Sequence, residues 1–91
     1  MNDNSDNEII DKFNWRRENN SLRKTFLFKD FSSATAFFLQ VAVLSEKIDH
    51  HPDICLHSYN KITITTITHS ENRITSKDIE LINKIENIHG I

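Results

Sequence analysis

SATAFFLQVAVLSEKIDHHP, Ser33 to Pro52, predicts the longest helix of the chain and the point at which it must stop. Ala34, Phe38, Val41, Ala42, Ser45 and Ile48 recur at spacings of three and four, so they share one helical face and mark a buried stripe. Just upstream, Asp30-Phe31-Ser32-Ser33 supplies side-chain oxygens of the kind that accept from the unpaired N–H groups of a first helical turn. At the other end Pro52 pushes the residue before it out of helical geometry, which puts His51 at or just past the terminus. Two adjacent histidines therefore stand where a helix ends. Glu46 lies four residues before His50, on the same helical face, while His50 and His51 are about 100° apart and point different ways.

Outward from this helix the periodicity changes. From Leu22 onward Phe26 and Phe28 alternate with Thr25, Leu27 and Lys29, a strand with an aromatic face. Further upstream, RRENNS has the composition of a turn or loop, and EIIDKFNW carries Ile9, Ile10, Phe13 and Trp15 at spacings that suit one or two turns of amphipathic helix. Residues 1–7 are rich in Asn and Asp without apolar periodicity and are expected to be a disordered tail. Downstream, Ile54 to Tyr59 predicts a short strand. KITITTITH, Lys61 to His69, is the plainest strand of all, dense in β-branched residues. One of its faces holds Ile62, Ile64, Thr66 and Thr68; His69 ends it on the other. Thr75-Ser76-Lys77-Asp78 has the form of a capping box opening a last helix, whose stripe is Ile79, Ile82, Ile85 and Ile88. Strands and helices do not alternate as a parallel sheet requires, so the expected class is α+β with a mostly antiparallel sheet.

Ninety-one residues bound a single domain, 1–91, with one modest core, a size at which oligomerisation is a natural source of further buried surface. Eleven Lys and Arg against thirteen Asp and Glu leave a formal charge of −2. The densest basic cluster, Arg16, Arg17, Arg23 and Lys24, is interrupted by Glu18 and reads as a solvated face, which argues against direct nucleic-acid binding. The single cysteine, Cys55, excludes a disulfide within the chain and suits a reducing compartment. The acidic N-terminus has neither the basic start nor the apolar run of a signal peptide. The longest apolar stretch, Ala34 to Leu44, is about half of the roughly 20 residues needed to span a bilayer. A cytoplasmic protein without a membrane partner is the expectation. With Gly90 the only glycine, no phosphate-cradling loop is built.

Histidine suits acid and base work because its reference pKa of about 6.5 keeps both protonation states populated near neutrality. Each candidate also has an ordinary explanation: a protonated histidine sits well at a helix C-terminus, His69 is a polar strand end, and Asp78 is half of a capping box. Metal binding by His50, His51, His57 and His69 is disfavoured. Zinc sites show two histidines one helical turn apart around a glutamate, or paired cysteines, and neither pattern occurs. Nothing in the sequence activates Cys55 as a nucleophile.

Taken jointly, EKIDHHP, the following Tyr59-Asn60-Lys61, the Thr68-His69 pair closing a Thr-rich strand and the later Asp78 resemble the pterin-4a-carbinolamine dehydratase family. The family pattern runs from an acidic residue through His-His-Pro, an aromatic, a second histidine and an aspartate, matched here by Glu46, His50, His51, Pro52, Tyr59, His69 and Asp78. The likeness extends from Trp15 through Phe26 to Phe31 and Val41-Ala42, and so over nearly all of residues 15–88. It implies a four-stranded antiparallel sheet with helices packed on one face, homodimers or homotetramers, and loss of water from 4a-hydroxytetrahydrobiopterin to give the quinonoid dihydropterin, with no metal or organic cofactor.

The same resemblance implies roles. His50 and His69 would be the acid and base, and His51 would orient the pterin. Glu46 and Asp49 would support ring hydrogen bonds or histidine tautomers, with Pro52, Thr68, Ser70 and Asp78 completing the substrate site. Two departures bear on the pocket wall: Ile54 stands where many members carry an aromatic, and Ser70-Glu71-Asn72-Arg73 where many carry a glycine. The alternative that the resemblance brings is a non-catalytic dimerisation module, a coactivator partner of a transcription factor, working through a helix face, with a nuclear as well as a cytoplasmic location.

Overall fold

Period-two alternation along the central strands sorts side chains onto two unlike faces. The computed structural model describes residues 3–90, in the order α1 (Asp3–Lys12), β1 (Arg16–Glu18), β2 (Ser21–Leu27), α2 (Phe31–Ile48), β3 (Asp53–His57), β4 (Lys61–Thr66) and α3 (Ser76–His89). The strands form one antiparallel sheet in the order β1-β2-β4-β3, so β2 and β3 run parallel with β4 between them. Leu22, Phe26, Ile62 and Ile64 point to one side and join Ala34, Phe37 and Val41 of α2 and Ile79, Ile82 and Ile85 of α3 in the core. On the other side Arg23, Thr25, Leu27, Asp53 and Cys55 are exposed. The fold is α+β with the helices on one face of a four-stranded antiparallel sheet, as expected.

The long helix starts at its expected cap but ends at Ile48, short of Pro52, because Asp49 turns out of helical geometry. Asp30 is the N-cap, and its carboxylate accepts from the Ser33 N–H at 2.8 Å. The buried stripe is Ala34, Phe37, Val41 and Ser45, turned slightly from the expected one, because Phe37 rather than Phe38 fills the space against Phe26 and Phe28, both at 5.0 Å between ring centroids. Ser45 is buried without penalty, since its hydroxyl donates to the Val41 carbonyl one turn back at 2.8 Å.

Tertiary contacts overrode the local reading of the N-terminal third. Residues 3–7, expected to be disordered, belong to α1, which is held by buried Ile10 and by a hydrogen bond from Arg17 to Asn7; Met1 and Asn2 lie outside the described residues. RRENNS is not a loop but the short strand β1 and a tight turn into β2, with Asn19 in the left-handed region at φ 53. The fourth strand escaped detection because three polar residues show no periodicity. Trp15, beside it, is buried and donates through Nε1 to Glu86 Oε2 at 2.8 Å. The same oxygen receives Lys24 Nζ at 2.6 Å, and Lys24 also donates to the Phe13 carbonyl at 2.6 Å. One carboxylate thus ties α3, β2 and the α1–β1 connection together.

Both strands of the second hairpin end earlier than expected. β3 ends at His57, because Ser58 and Tyr59 turn the chain with φ of 53 and 57. β4 ends at Thr66, beyond which only Thr68 pairs, as an isolated bridge to Arg73. Left-handed backbone also occurs at Asn14, Asp49 and Asn72.

Glu86→Ala leaves the Trp15 and Lys24 donors without their shared acceptor in a largely buried site, and should cost about 3 kcal/mol in urea unfolding, with Trp15 fluorescence reporting the loosened contact. A Glu86→Ala protein as stable as wild type would contradict the tie.

Candidate active site

The end of α2 decides where the histidines go. Asp49 takes a left-handed conformation, φ 54 and ψ 46, and two hydrogen bonds close the terminus: Asp49 N–H to the Glu46 carbonyl at 3.3 Å and His50 N–H to the Ser45 carbonyl at 3.1 Å. This is a Schellman closure with aspartate in the position usually given to glycine. The reversal breaks the i, i+4 relation expected between Glu46 and His50. Glu46 instead bonds His51, Oε1 to Nε2 at 2.5 Å, on the exposed side. His50 turns inward and is mostly buried, its side chain 11 % exposed.

There it meets Asp78, which is fully buried at the third position of α3. Asp78 Oδ1 accepts from Thr66 Oγ1 at 2.6 Å and from His50 Nε2 at 2.7 Å. Oδ2 accepts from Thr68 Oγ1 at 2.8 Å and from the Thr75 N–H at 2.9 Å. The expected capping box exists, since Thr75 caps the helix and Asp78 reaches back to it, but it is half of a larger network. Burial alone would push the Asp78 carboxyl up; the donors from Thr66, His50, Thr75 and Thr68 more than offset it and hold the carboxyl below its ordinary value.

Counting protons settles the His50 tautomer. A carboxylate only accepts, so the hydrogen of this pair is on Nε2, and Nδ1 is the ring nitrogen outside the pair. Thr68 has one hydroxyl proton and gives it to Asp78, so the 2.6 Å contact between Thr68 and Thr75 is a donation from Thr75.

The remaining sequence-predicted residues divide into neighbours and outliers. Thr68 is buried in the network, and His69 and Ser70 follow it in an exposed turn, where the His69 carbonyl accepts from the Asn72 N–H at 3.3 Å. His69 is therefore not the last residue of a strand but the first of a turn beyond it. Asp49 is exposed at the helix end and Pro52 half-buried before β3. Tyr59, 64 % exposed, does not join them: it sits in the turn before Lys61, while Asp78 meets β4 at Thr66. Five strand steps of about 3.3 Å, roughly 17 Å, separate those two ends of β4. Ile54 lies opposite Ile64 on the helix-covered side of the sheet and packs against the core. Thr66 escaped the sequence reading; its only signal was its place on the inward face with Ile62 and Ile64. Among the described residues no group of His, Cys, Asp and Glu side chains is arranged to hold a metal ion, and no helix is long and apolar enough to cross a membrane.

These features define a class: a small α+β protein in which the end of one helix offers adjacent histidines, one of them braced by a buried carboxylate at the start of another helix. The family model described as pterin 4 alpha carbinolamine dehydratase matches residues 2–88. A relative from Sulfolobus acidocaldarius, provisionally named a pterin-4-alpha-carbinolamine dehydratase, is 43% identical over 74 residues, 81% of this chain and 80% of its own. One from Sulfurisphaera tokodaii with the same provisional name is 36% identical over 88 residues, 92% of this chain and 94% of its own. Among solved structures, a transcriptional coactivator/pterin dehydratase from Brucella melitensis superposes with a TM-score of 0.84 at 35% identity, over 97% of this chain and 96% of that one. A pterin dehydratase-like RuBisCO assembly factor of the alpha-carboxysome shares the fold, with a TM-score of 0.68 at 21% identity over 84% of this chain and 87% of that one. The chain belongs to the pterin-4-alpha-carbinolamine dehydratase family.

Asp78→Asn should lower stability by about 2–4 kcal/mol near neutrality. Because the wild-type carboxyl is held low in the fold, its stabilisation is complete above the unfolded value of about 3.9 and lost as pH falls through the folded value. The difference between Tm of wild type and variant should therefore be full at pH 6 and shrink at the acid end. A difference that widens toward low pH would contradict this account.

Proposed function

We propose that this chain is a 4a-hydroxytetrahydrobiopterin dehydratase that returns the oxidised pterin toward reuse by elimination of water. The observation that carries the reading is the His50–Asp78 pair: a buried carboxylate that fixes one imidazole nitrogen as a donor and leaves the other for proton transfer. Membership of the family supports the substrate class.

The reaction balances with two proton carriers. A protonated histidine gives its proton to the 4a-hydroxyl, the C4a–O bond breaks and water leaves. A neutral histidine takes the N5 proton, and the N5 electron pair closes the C4a=N5 double bond. His50 and His69 are the proposed carriers, differing in environment as such a division requires: one is braced by Asp78, the other is exposed in a turn. His51, held by Glu46, orients the pterin, with Asp49, Pro52 and Ser70 at the rim. Thr68 and Asp78 are buried and act through His50 rather than by touching substrate. No cofactor enters, and the site is read as cytoplasmic.

A second reading draws on a separate observation. Leu39 and Val43, on the side of α2 away from its buried stripe, are 59% and 55% exposed, which suits pairing of copies into a homodimer or homotetramer, or docking of a protein partner such as a transcription factor.

Turnover of 4a-hydroxytetrahydropterin, generated in situ, tests the first reading. His50→Ala and His69→Ala, folded by circular dichroism, should each lose about 10²- to 10⁴-fold in kcat. A folded wild type that gives no acceleration over buffer would sink the enzyme assignment. Leu39→Glu with Val43→Glu should alter the sedimentation of the protein; unchanged sedimentation would remove the support for an α2 interface.

A further inference from the structure

The two oxygens of Asp78 do different work. Oδ2 is engaged by the Thr75 N–H and by Thr68, whose hydroxyl in turn takes a proton from Thr75, so this side belongs to the start of α3. Among the described residues Oδ1 is engaged by His50 and by Thr66, at 2.7 and 2.6 Å. Thr66 is 1% exposed on the inward face of β4. Its single hydroxyl proton points at the atom that also holds the histidine.

We propose that Thr66 is a positioning residue for the dehydration: by donating to the Asp78 oxygen that receives His50 Nε2–H, it sets how firmly Asp78 holds the protonated imidazole. This rests on the dehydratase reading for its catalytic consequence, though not for its physical one. A hydroxyl donor neutralises part of the charge on Oδ1, and in a buried site that charge is otherwise felt by His50 with little screening. Thr66 thereby makes a protonated His50 readier to release its proton than Asp78 alone would leave it. Removing the hydroxyl concentrates the charge on the histidine. Asp78 would remain ionised through neutral pH, since Thr68, Thr75 and His50 still donate to it.

The other ionisable groups near the pair in the fold lie at the end of α2, in β3, in α3 and in the turn after β4. Glu46, Asp49 and His51 are at the end of α2, with Glu46 and His51 bonded to each other; Asp53 begins β3 and Lys77 lies in the first turn of α3, both exposed; His69 opens the turn after β4. Substitution of Thr66 changes none of them, so a moved titration reports on the Oδ1 contact.

The test is imidazole NMR of the whole protein across pH, on wild type, Thr66→Val and Thr66→Ser, with the amide spectrum as the check on fold. Valine keeps the shape of threonine and removes the hydroxyl. The His50 midpoint should move to higher pH by about half a unit or more in Thr66→Val, a roughly threefold change in proton affinity, and Thr66→Ser should restore the wild-type curve. A Thr66→Val curve that coincides with wild type or moves to lower pH, in a protein with the wild-type amide spectrum, overturns the proposal. Should valine perturb the fold, Thr66→Ala is read in the same way. Loss of fold in both, with serine intact, would make the hydroxyl a structural requirement and overturn it equally.

The kcat/KM profile adds the catalytic arm. If His50 is the acid, its alkaline limb moves upward in Thr66→Val; if it is the base, the acidic limb does. Limbs that stay fixed while the NMR midpoint moves would overturn the catalytic part. A wild type without turnover would end the dehydratase reading and leave the NMR result standing.

Discussion

The structure turns on a carboxylate with no exposure to water. Taking Asp78 out of solvent is unfavourable unless its lone pairs are filled, and filling them requires β4, the connection to α3 and the end of α2 to arrive together. Thr66, on the inward face of β4, and Thr68, two residues past its end, reach it from the same side, which pins the register of that strand against the core face that holds Ile62 and Ile64. Thr75 reaches it only if α3 begins where it does. His50 reaches it only if α2 unwinds at Asp49. A single buried charge therefore couples folding to the geometry of the site.

The same logic explains why this network does two jobs without conflict. A helix start needs an acceptor for its first N–H groups, and a mostly buried imidazole needs a partner that fixes its tautomer. One carboxylate has two oxygens and satisfies both, with one oxygen for each. The second buried carboxylate, Glu86, performs a purely structural version at the other end of α3, where Trp15 and Lys24 share a single oxygen. The last helix is thus nailed at both ends by acidic residues facing inward, although its apolar stripe alone would read as an ordinary amphipathic helix.

Features whose cause lies within a few residues were legible in the sequence. The cap at Asp30, the capping box from Thr75 to Asp78 and the β-branched run of β4 all follow from local rules, and the structure contains each of them, whereas α2 ends before Pro52, at the left-handed Asp49. What sequence reasoning missed is set by contacts across the chain. β1 has no periodicity and exists because β2 is there to pair with it. Residues 3–7 are polar, and they are helical because Ile10 and Arg17 anchor the turn beyond them. The exchange of partners between Glu46, His50 and His51 depends on one left-handed residue, a torsion that helical spacing assumes away. In sequence Thr66 is one threonine among several in a threonine-rich strand, and only its contact with Asp78 sets it apart.

Among the described residues, Asp49 is one of six, none of them glycine, that hold positive φ. A left-handed torsion costs an ordinary L-residue on the order of 1–2 kcal/mol, less for Asn and Asp, whereas glycine would adopt it freely. The compensation lies in the unfolded chain, which has fewer conformations to surrender than a glycine-rich one would. For four of the six, Asn14, Asn19, Ser58 and Asn72, exchanging one of these effects for the other changes little beyond stability. At Asp49 the balance has a mechanical meaning. A glycine there would relieve strain and also give the His-His pair a swivel. The aspartate makes the end of α2 a stiff elbow, so that the aim of both imidazoles is inherited from the helix.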